Sequence, residues 1–401
     1  MNHGTCRTSV CHEGWCYLLL LAFVFAWAIL REANLLLVVA GLMCGPILCS
    51  WPLLRATLRD VHVRRTAPRA VYAGEPFSVE IELRSARVRR GSWGLWVTDR
   101  VRREDDARGR TSPSPPTLFS YVPAGATRRR AYRARLFERG RYRLGPLEVS
   151  SRFPFGLLRR RITRHGEEAF GLTVFPRLGR LTPAWHARNR DAWQGMRGGR
   201  RTGRAPGAFS GVREWQPGDS VRRVHWRSTA RHGRVVVCQF EQPRNRDLAV
   251  LLDLWQPADP NGEDLDNLEL AVSFAATLVA HVCRTGAGRL VLGTTGAQPD
   301  VTTGTPSAPL MELALERLAV AKGSPDDHLP ALLNVALRQS GPDTEVVLVS
   351  PRRAPLSDLL RTTPAGIGVS YPSAESNIRL VRTADPEFSL YFDLEPAGST
   401  E

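Results

Sequence analysis

Two apolar runs separated by four residues constrain this chain more than any other feature. Trp15–Leu30 contains no charged residue, Arg31-Glu32-Ala33-Asn34 interrupts it, and Leu35–Leu54 is apolar again. A spanning helix needs about 20 apolar residues, within a range of about 17–25. The second run meets this and the first is slightly short. Placing Arg31 and Glu32 at the middle of one long element would cost on the order of 2.5–3.5 kcal/mol each. A turn at the membrane surface removes that cost. The spacing therefore predicts a hairpin after a tail of residues 1–14, with helices over 15–31 and 35–54 and with Trp15, Tyr17 and Trp51 as interfacial aromatics. A cleaved leader is the rival reading, with Leu18–Phe25 as its apolar part and Ala26-Trp27-Ala28 as its small-x-small site. Only Arg7 supplies fixed positive charge ahead of it, and a second apolar run follows at once, so the hairpin is preferred.

Orientation follows from Arg55, Arg59, Arg64, Arg65 and Arg69, which crowd the exit of the second run. The positive-inside rule puts that side in the cytoplasm, so a two-helix protein of the inner membrane is expected, with both termini and all soluble mass inside the cell. Cysteine usage agrees. Cys6, Cys11, Cys16, Cys44 and Cys49 lie in or before the apolar region, only Cys238 and Cys283 fall beyond it, and no Cys-x-x-Cys pair occurs. This fits a reducing compartment and excludes a disulfide framework.

With 401 residues the chain has room for two or three domains. From Arg69 to Val174 the pattern is β-like. Phe77–Arg84 alternates apolar and polar, Ala73-Gly74-Glu75-Pro76 reads as a turn before it, and Arg130–Leu136 alternates again. A β-sandwich of the immunoglobulin-like kind is expected over 60–180, with a charged, Pro/Ser-rich loop at 102–116. Residues 181–207 are polar and unpatterned, and 181–245 is expected to hold a linker and the motif described below.

After Arg246 the period changes. Leu248–Leu254 is a continuous apolar run, Leu265–Arg284 has helical spacing, and Arg289–Gly293, Glu345–Val349 and Ile367–Ser370 read as further strands. Leu310–Val320, Leu329–Gln339 and Leu356–Arg361 read as helices between them. Alternation of this kind predicts an α/β domain over 246–390 with a parallel sheet, followed by a tail at 391–401. Ligands of such sheets bind beyond the C-terminal strand ends, which places Asp253 and Ser350 at the rim.

The most specific stretch is 209–234, FSGVREWQPGDSVRRVHWRSTARHGR. It carries six arginines, two acids, two histidines and two tryptophans around a Pro-Gly-Asp turn, and it has neither a helical nor a strand period. An irregular charged and aromatic segment feeding into buried strands is where function is sought first. It resembles the signature of the domain of unknown function 58 family. The matching residues are Gly211, Arg213, Trp215, Pro217-Gly218-Asp219, Arg222, Val224, Trp226 and Ala230-Arg231. Ala73-Gly74-Glu75, Arg139-Gly140-Arg141-Tyr142, Gly145-Pro146, Pro154-Phe155-Gly156-Leu157 and Phe175-Pro176-Arg177 agree with the same family. The resemblance implies a von Willebrand factor A-like domain after the signature and a MoxR-type AAA+ ATPase as habitual partner. It implies no reaction.

One departure concerns metal. A metal-binding von Willebrand A domain carries Asp-x-Ser-x-Ser after its first strand, whereas this chain has Asp253-Leu254-Trp255-Gln256-Pro257. Ser350 stands where a second acid often follows a later strand. Mg²⁺ demands near-octahedral oxygen ligation, so Asp253 is a weak candidate, and no metal or other cofactor is expected.

The residues expected to form the signature or a partner-binding site are Arg213, Trp215, Gly218, Asp219, Arg222, His225, Trp226, Arg227 and Arg231. For Asp219 two readings stand: a carboxylate restraining nearby arginines within the loop, or part of a docking surface. Trp215 and Trp226 are expected as anchors beneath the loop and Cys238 as a buried strand residue. His225 and His232 have no Ser or Cys nucleophile constellation beside them. Glu263, Asp264 and Asp266 fit the positive end of a helix dipole. The glycines at 286–296 lack a phosphate-loop lysine.

Three functions follow. The first is a non-enzymatic membrane adaptor working with the ATPase, membrane lipid and a client protein. The second is a metal-dependent or hydrolytic enzyme using Asp219, His225 and Asp253. The third is binding of nucleic acid or another anionic polymer through the arginines. The formal net charge is +16 and Lys322 is the only lysine, but the arginines are spread over the whole chain, which argues against the third.

Overall fold

The computed structural model describes all residues except 1–4, 88–89, 107–110, 165–169, 188–208, 218, 222–223, 241–246, 287, 297, 342–343, 362–377 and 395–401. Two compact units divide the chain, Met1–Arg177 and Leu178–Glu395. The whole is of mixed α and β composition, with two apolar helices near its start.

The first unit begins with a strand where a tail was expected: β1 (Thr5–Val10). Helices α1 (His12–Leu30) and α2 (Asn34–Thr57) follow. Both have a mean hydropathy of 1.9 and are long and apolar enough to cross a membrane. They pack on each other, and the Tyr17 hydroxyl donates to the Met43 carbonyl at 2.8 Å. Aromatic–arginine pairs mark both ends of the pair. Arg55 lies 5.4 Å from the ring of Trp51 near the exit, and Arg31 lies 5.3 Å from that of Trp27 at the turn.

Among the described residues of the unit, twelve further strands follow: β2 (Val61–Thr66), β3 (Ala70–Tyr72), β4 (Pro76–Ser85), β5 (Ser92–Thr98), β6 (Arg100–Arg103), β7 (Thr111–Pro113), β8 (Thr117–Val122), β9 (Thr127–Arg135), β10 (Gly140–Leu144), β11 (Leu147–Ser151), β12 (Leu158–Arg164) and β13 (Phe170–Phe175). They form sheets in the orders β1-β12-β11-β5-β8, β3-β13-β10-β6-β7 and β2-β4-β9. The alternation read at 77–84 is the inward row Phe77, Val79, Ile81 and Leu83 of β4. That row shares one core with Leu95, Val97, Phe119, Leu144, Val149, Leu172 and Val174 of the two larger sheets. Residues 102–116, expected as a loop, instead include the antiparallel pair β6 and β7.

A charged cluster sits inside this unit. Arg65 donates to both carboxylate oxygens of Asp99, at 2.8 and 2.9 Å, and to the Leu144 carbonyl at 2.9 Å. The Tyr132 hydroxyl and the Arg100 amide donate to the same carboxylate, at 3.1 and 2.8 Å. Buried ions persist only with such partners.

The second unit contains β14 (Arg180–Leu181), β15 (Phe209–Glu214), α3 (Trp226–His232), β16 (Val236–Phe240), β17 (Leu248–Leu252), α4 (Gly262–Thr285), β18 (Leu290–Thr294), β19 (Asp300–Gly304), α5 (Ala308–Val320), α6 (Leu329–Gln339), β20 (Glu345–Ser350), α7 (Leu356–Arg361), β21 (Ile378–Arg382) and β22 (Phe392–Asp393). Its main sheet has the order β19-β18-β17-β20-β21. β17, β18, β20 and β21 are parallel, and β19 is an antiparallel edge strand that the polar sequence DVTTG did not announce. Leu329, Leu332, Leu333 and Ala336 of α6 cover Ala249, Leu251, Val291 and Leu348.

Helix α4 starts with a capping box. The Asn261 side chain accepts from the Asp264 amide at 2.8 Å, and the Asp264 carboxylate accepts from the Asn261 amide at 3.1 Å. Gly286, at φ +67°, ends it. The helix is apolar enough to span a membrane by length and composition, yet most of its apolar residues from Leu268 to Val282 are buried within the protein.

Three stretches differ from expectation. The strand expected at 367–370 lies outside the described residues, and β21 at Ile378–Arg382 is the described parallel neighbour of β20. Within 181–207, expected as linker, residues 183–187 are helical and Trp185 is buried edge-on against Phe274, their rings 5.2 Å apart. Residues 392–393, expected in a tail, pair with 180–181, and Phe392 packs 5.4 Å from Phe274. A few large aromatic rings order segments that carry no periodicity.

Candidate functional site

The signature folds as a two-stranded antiparallel ribbon with a short helix inserted. β15 pairs with β16, with Val212 opposite Cys238 and Glu214 opposite Val236. α3 is seven residues long, too short for an apolar stripe, and its ends are fixed by local hydrogen bonds. His225 is the N-cap: its Nδ1 accepts from the Ser228 amide at 3.2 Å and lies 2.7 Å from the Ser228 hydroxyl. The His225 amide donates to the Val236 carbonyl at 2.8 Å, and the Thr229 hydroxyl accepts from the Val236 amide at 3.1 Å. These two bonds tie the helix to the ribbon. Gly233, at φ +66°, closes the helix in the left-handed region where glycine carries no Cβ penalty.

Arg213, Trp215 and Asp219 meet around the turn that follows β15. Arg213 grips the Asp219 carboxylate with two 2.7 Å bonds. The Gln216 amide donates to the same carboxylate at 2.9 Å, and the Trp215 indole donates to the Asp219 carbonyl at 3.3 Å. The bonds to Asp219 hold the Arg213 guanidinium charged and raise its pKa. Planar two-point pairing fixes orientation as well as distance, so Asp219 organises the turn that contains it. Arg234 pairs with Glu214 at 2.8 Å on the exposed surface.

Trp226 corrects an expectation. It does not anchor the loop from beneath but is 66% exposed, and Arg227, Ala230 and Arg231 of the same helix are exposed with it. Trp215 and Val221 are exposed too, and Cys238 is half-buried rather than buried. A seven-residue helix tied down through its backbone and caps has no need to bury its first side chain. Gly218 and Arg222 lie outside the described residues.

The rim of the main sheet holds a second cluster. Asp253 follows β17 and is fully buried. Its carboxylate accepts from the Ser350 hydroxyl at 2.8 Å and the Trp255 amide at 3.1 Å. The Arg352 guanidinium lies against it, with Nε 2.7 Å from one oxygen and a terminal nitrogen 3.2 Å from the other. Arg352 also binds Asp327 with bonds of 2.7 and 3.0 Å, and its guanidinium carbon sits 4.9 Å from the Trp255 ring centre. Burial pushes the Asp253 carboxyl up, opposed by Arg352, Ser350 and the Trp255 amide. Asp327 is held below the usual carboxylate range, first by its hydrogen bonds to Arg352. Asp253 and Ser350 were legible as rim residues; Arg352 and Asp327 were not, because nothing in local spacing links positions 99 and 25 residues apart.

Asp219, His225 and Asp253 do not meet in the hydrogen bonds described: Asp219 joins Arg213 and Gln216, His225 joins Ser228, and Asp253 joins Ser350, Trp255 and Arg352.

Comparison with known proteins follows this geography. Residues 211–348, from the ribbon to β20, match the family described as Protein of unknown function DUF58. The "Uncharacterized protein YeaD" of Bacillus subtilis (strain 168) is 31% identical over 77 residues, which is 19% of this chain and 17% of that protein. Both support the resemblance drawn from the signature. Among solved structures, a CARDB domain from Pyrococcus furiosus is 13% identical with a TM-score of 0.20, covering 29% of this chain and 92% of that one. The DNA glycosylase AlkC of Pseudomonas fluorescens is 16% identical with a TM-score of 0.21, covering 34% of this chain and 40% of that one. Likeness at this level carries no argument about fold or function.

Proposed function

We propose that this protein is a non-enzymatic adaptor of the inner membrane, holding an immunoglobulin-like β-sandwich and a von Willebrand A-like domain on the cytoplasmic side and recruiting a MoxR-type AAA+ ATPase to a client protein. The observation that carries this reading is the division of labour within the signature. Its acids and its capping histidine are engaged in local bonds, Asp219 with Arg213, Glu214 with Arg234 and His225 with Ser228. Its outward face offers Trp226 with Arg227 and Arg231. An exposed tryptophan flanked by arginines has the composition of a binding hot spot, and arginine pairs well with carboxylates of a partner.

A divalent cation does not fit the rim. One buried carboxylate and one hydroxyl are present where Mg²⁺ wants six oxygens, and the Arg352 guanidinium occupies the carboxylate with its own positive charge. Arg352 stands in for the cation and the rim cluster serves as a structural clasp. The enzyme reading would need Asp219, His225 and Asp253 in one cleft, and the bonds described for each join it to other partners.

The experiment is crosslinked co-purification of the intact chain from detergent, beside Trp226→Ser and Arg227→Glu/Arg231→Glu variants. The intact chain recovers an AAA+ ATPase and both variants lose it. Recovery of no ATPase by the intact chain, or undiminished recovery by both variants, overturns the reading.

A further inference from the structure

The strand register gathers an exposed aromatic cluster at the end of the first unit from which the two apolar helices emerge. In the sheet β1-β12-β11-β5-β8, Val10 pairs with Leu158, Ser151 with Leu95, and Trp93 with Tyr121. Val10 is the last residue of β1, and α1 begins two residues later. The turn between β11 and β12 is fastened to that helix. The Cys11 amide donates to the Leu157 carbonyl at 2.9 Å, Arg152 lies 3.8 Å from Glu13, and a Cβ at Gly14 would collide with the Leu157 carbonyl oxygen. The start of α1, the 152–157 turn and the ends of β5 and β8 therefore lie at one level.

At that level the inside-outside alternation of two strands breaks. In β5, Leu95 and Val97 face the core, so strict alternation would bury Trp93 as well. Gly94, at φ +57°, turns the backbone and Trp93 comes out, 48% exposed. In β8, Phe119 is buried and Tyr121, two residues on, is 41% exposed, while Val122 is buried. Tyr121 leans on Gly91, where a Cβ would strike its ring. The rings of Trp93 and Tyr121 lie 4.3 Å apart and tilted, and Phe153 stacks 6.1 Å from Trp93. Phe155, at the tip of the turn, is 55% exposed. Paired strands that both abandon burial to present Trp and Tyr create an apolar surface with polar edges, and such rings partition to the headgroup layer of a bilayer.

We propose that this end of the β unit is a lipid-contacting surface, in which Trp93, Tyr121 and Phe155 seat in the headgroup layer of the membrane that α1 and α2 enter. Continuity with the apolar helices names the occupant: Trp15 and Trp51 of the helix pair and these three rings form one belt, with Arg55 and Arg152 beside it for lipid phosphates. The unit lies against the bilayer and its tilt is fixed at more points than the two chain connections. Thr98, at the other end of β5, stands about 17 Å away along the strand and outside the layer.

The test places the photocrosslinker benzoylphenylalanine, one position at a time, at Leu20, Tyr121, Phe155 and Thr98 of the full chain. The protein is reconstituted in vesicles of phosphatidylethanolamine and phosphatidylglycerol, and adducts are read by intact mass. Lipid adducts are expected at Leu20, Tyr121 and Phe155 and none at Thr98. Adducts at Leu20 alone, or protein–protein crosslinks in place of lipid at Tyr121 and Phe155, overturn the lipid surface while leaving the helix pair in the membrane. No adduct at any of the four positions overturns both.

Discussion

The guanidinium of Arg352 closes over the buried carboxylate of Asp253 at 2.7 Å, joining the end of β17 to the loop after β20. Because Asp253 is fully buried and the Arg352 side chain nearly so, removing one partner strands a charge in the interior. Breaking a buried pair in this way costs about 3–5 kcal/mol. Arg352→Ala is therefore expected to lower the unfolding temperature strongly, and Arg352→Met combined with Asp253→Asn to recover much of the loss. Thermal unfolding in detergent checks both, and a single variant no less stable than the double removes the clasp.

Asp327 supplies the pH dependence of the same cluster. Its pKa is depressed, first by the Arg352 hydrogen bonds. A carboxylate with a depressed folded pKa contributes stability that is fully present above its unfolded value, about 3.9, and is lost as pH falls through the folded value. Asp327→Asn is expected to melt lower than the parent at neutral pH, with the difference shrinking below about pH 4. A difference constant with pH shows that Asp327 acts through packing alone.

Asp219 organises the signature turn through bonds to Arg213 and the Gln216 amide, at a surface where partners compete with water. Asp219→Asn is expected to speed amide hydrogen exchange at Gln216 while leaving the amides of β17 and β20 unchanged. Such a pattern reports local opening rather than global unfolding. Unchanged exchange at Gln216 shows that the ribbon holds the turn without the carboxylate.

What could be read from the chain before folding depended on which force ordered each part. The apolar helices, the inward row of β4 and the buried face of α4 all announce themselves, because burial imposes a period on contiguous residues. β1, with the polar text TCRTSV, gives no such signal and is held by pairing with β12 across the sequence. β14 and β22 are two residues long and rely on aromatic packing around Phe274. At the candidate sites, spacing placed Asp253 and Ser350 on a sheet rim but not the arginine between them. The exposure of Trp226 carries no signal in the sequence for a related reason. Its helix is fixed by capping bonds, so an apolar side chain there is not obliged to face inward.

The Arg65–Asp99 pair is the charged centre of the first unit, with both side chains buried. Burial first, and then the charge of Asp99, push the Tyr132 hydroxyl up, so it remains a protonated donor. A graded series is expected: Tyr132→Phe, which loses one hydrogen bond to a charged acceptor, costs about 1.5–3 kcal/mol, whereas Asp99→Ala, which strands Arg65, costs about 3–5 kcal/mol. Thermal unfolding of the two variants checks the order, and equal losses contradict it.

Gly14 is the point where the hairpin and the 152–157 turn touch without room for a side chain, since any Cβ meets the Leu157 carbonyl oxygen. Gly41, in the second apolar helix, has open space around its Cβ position. Forcing a side chain into filled space costs about 1–3 kcal/mol, and here the turn is the part that can yield. Gly14→Val is therefore expected to pry the turn from α1. Each factor of ten in the open population corresponds to about 1.4 kcal/mol, and tryptic cleavage follows that population when closing is fast. Cleavage after Arg152 should rise about tenfold in Gly14→Val and stay at the parent rate in Gly41→Val. Equal rates in all three proteins would mean that the turn is held by its own sheet and not by the helix.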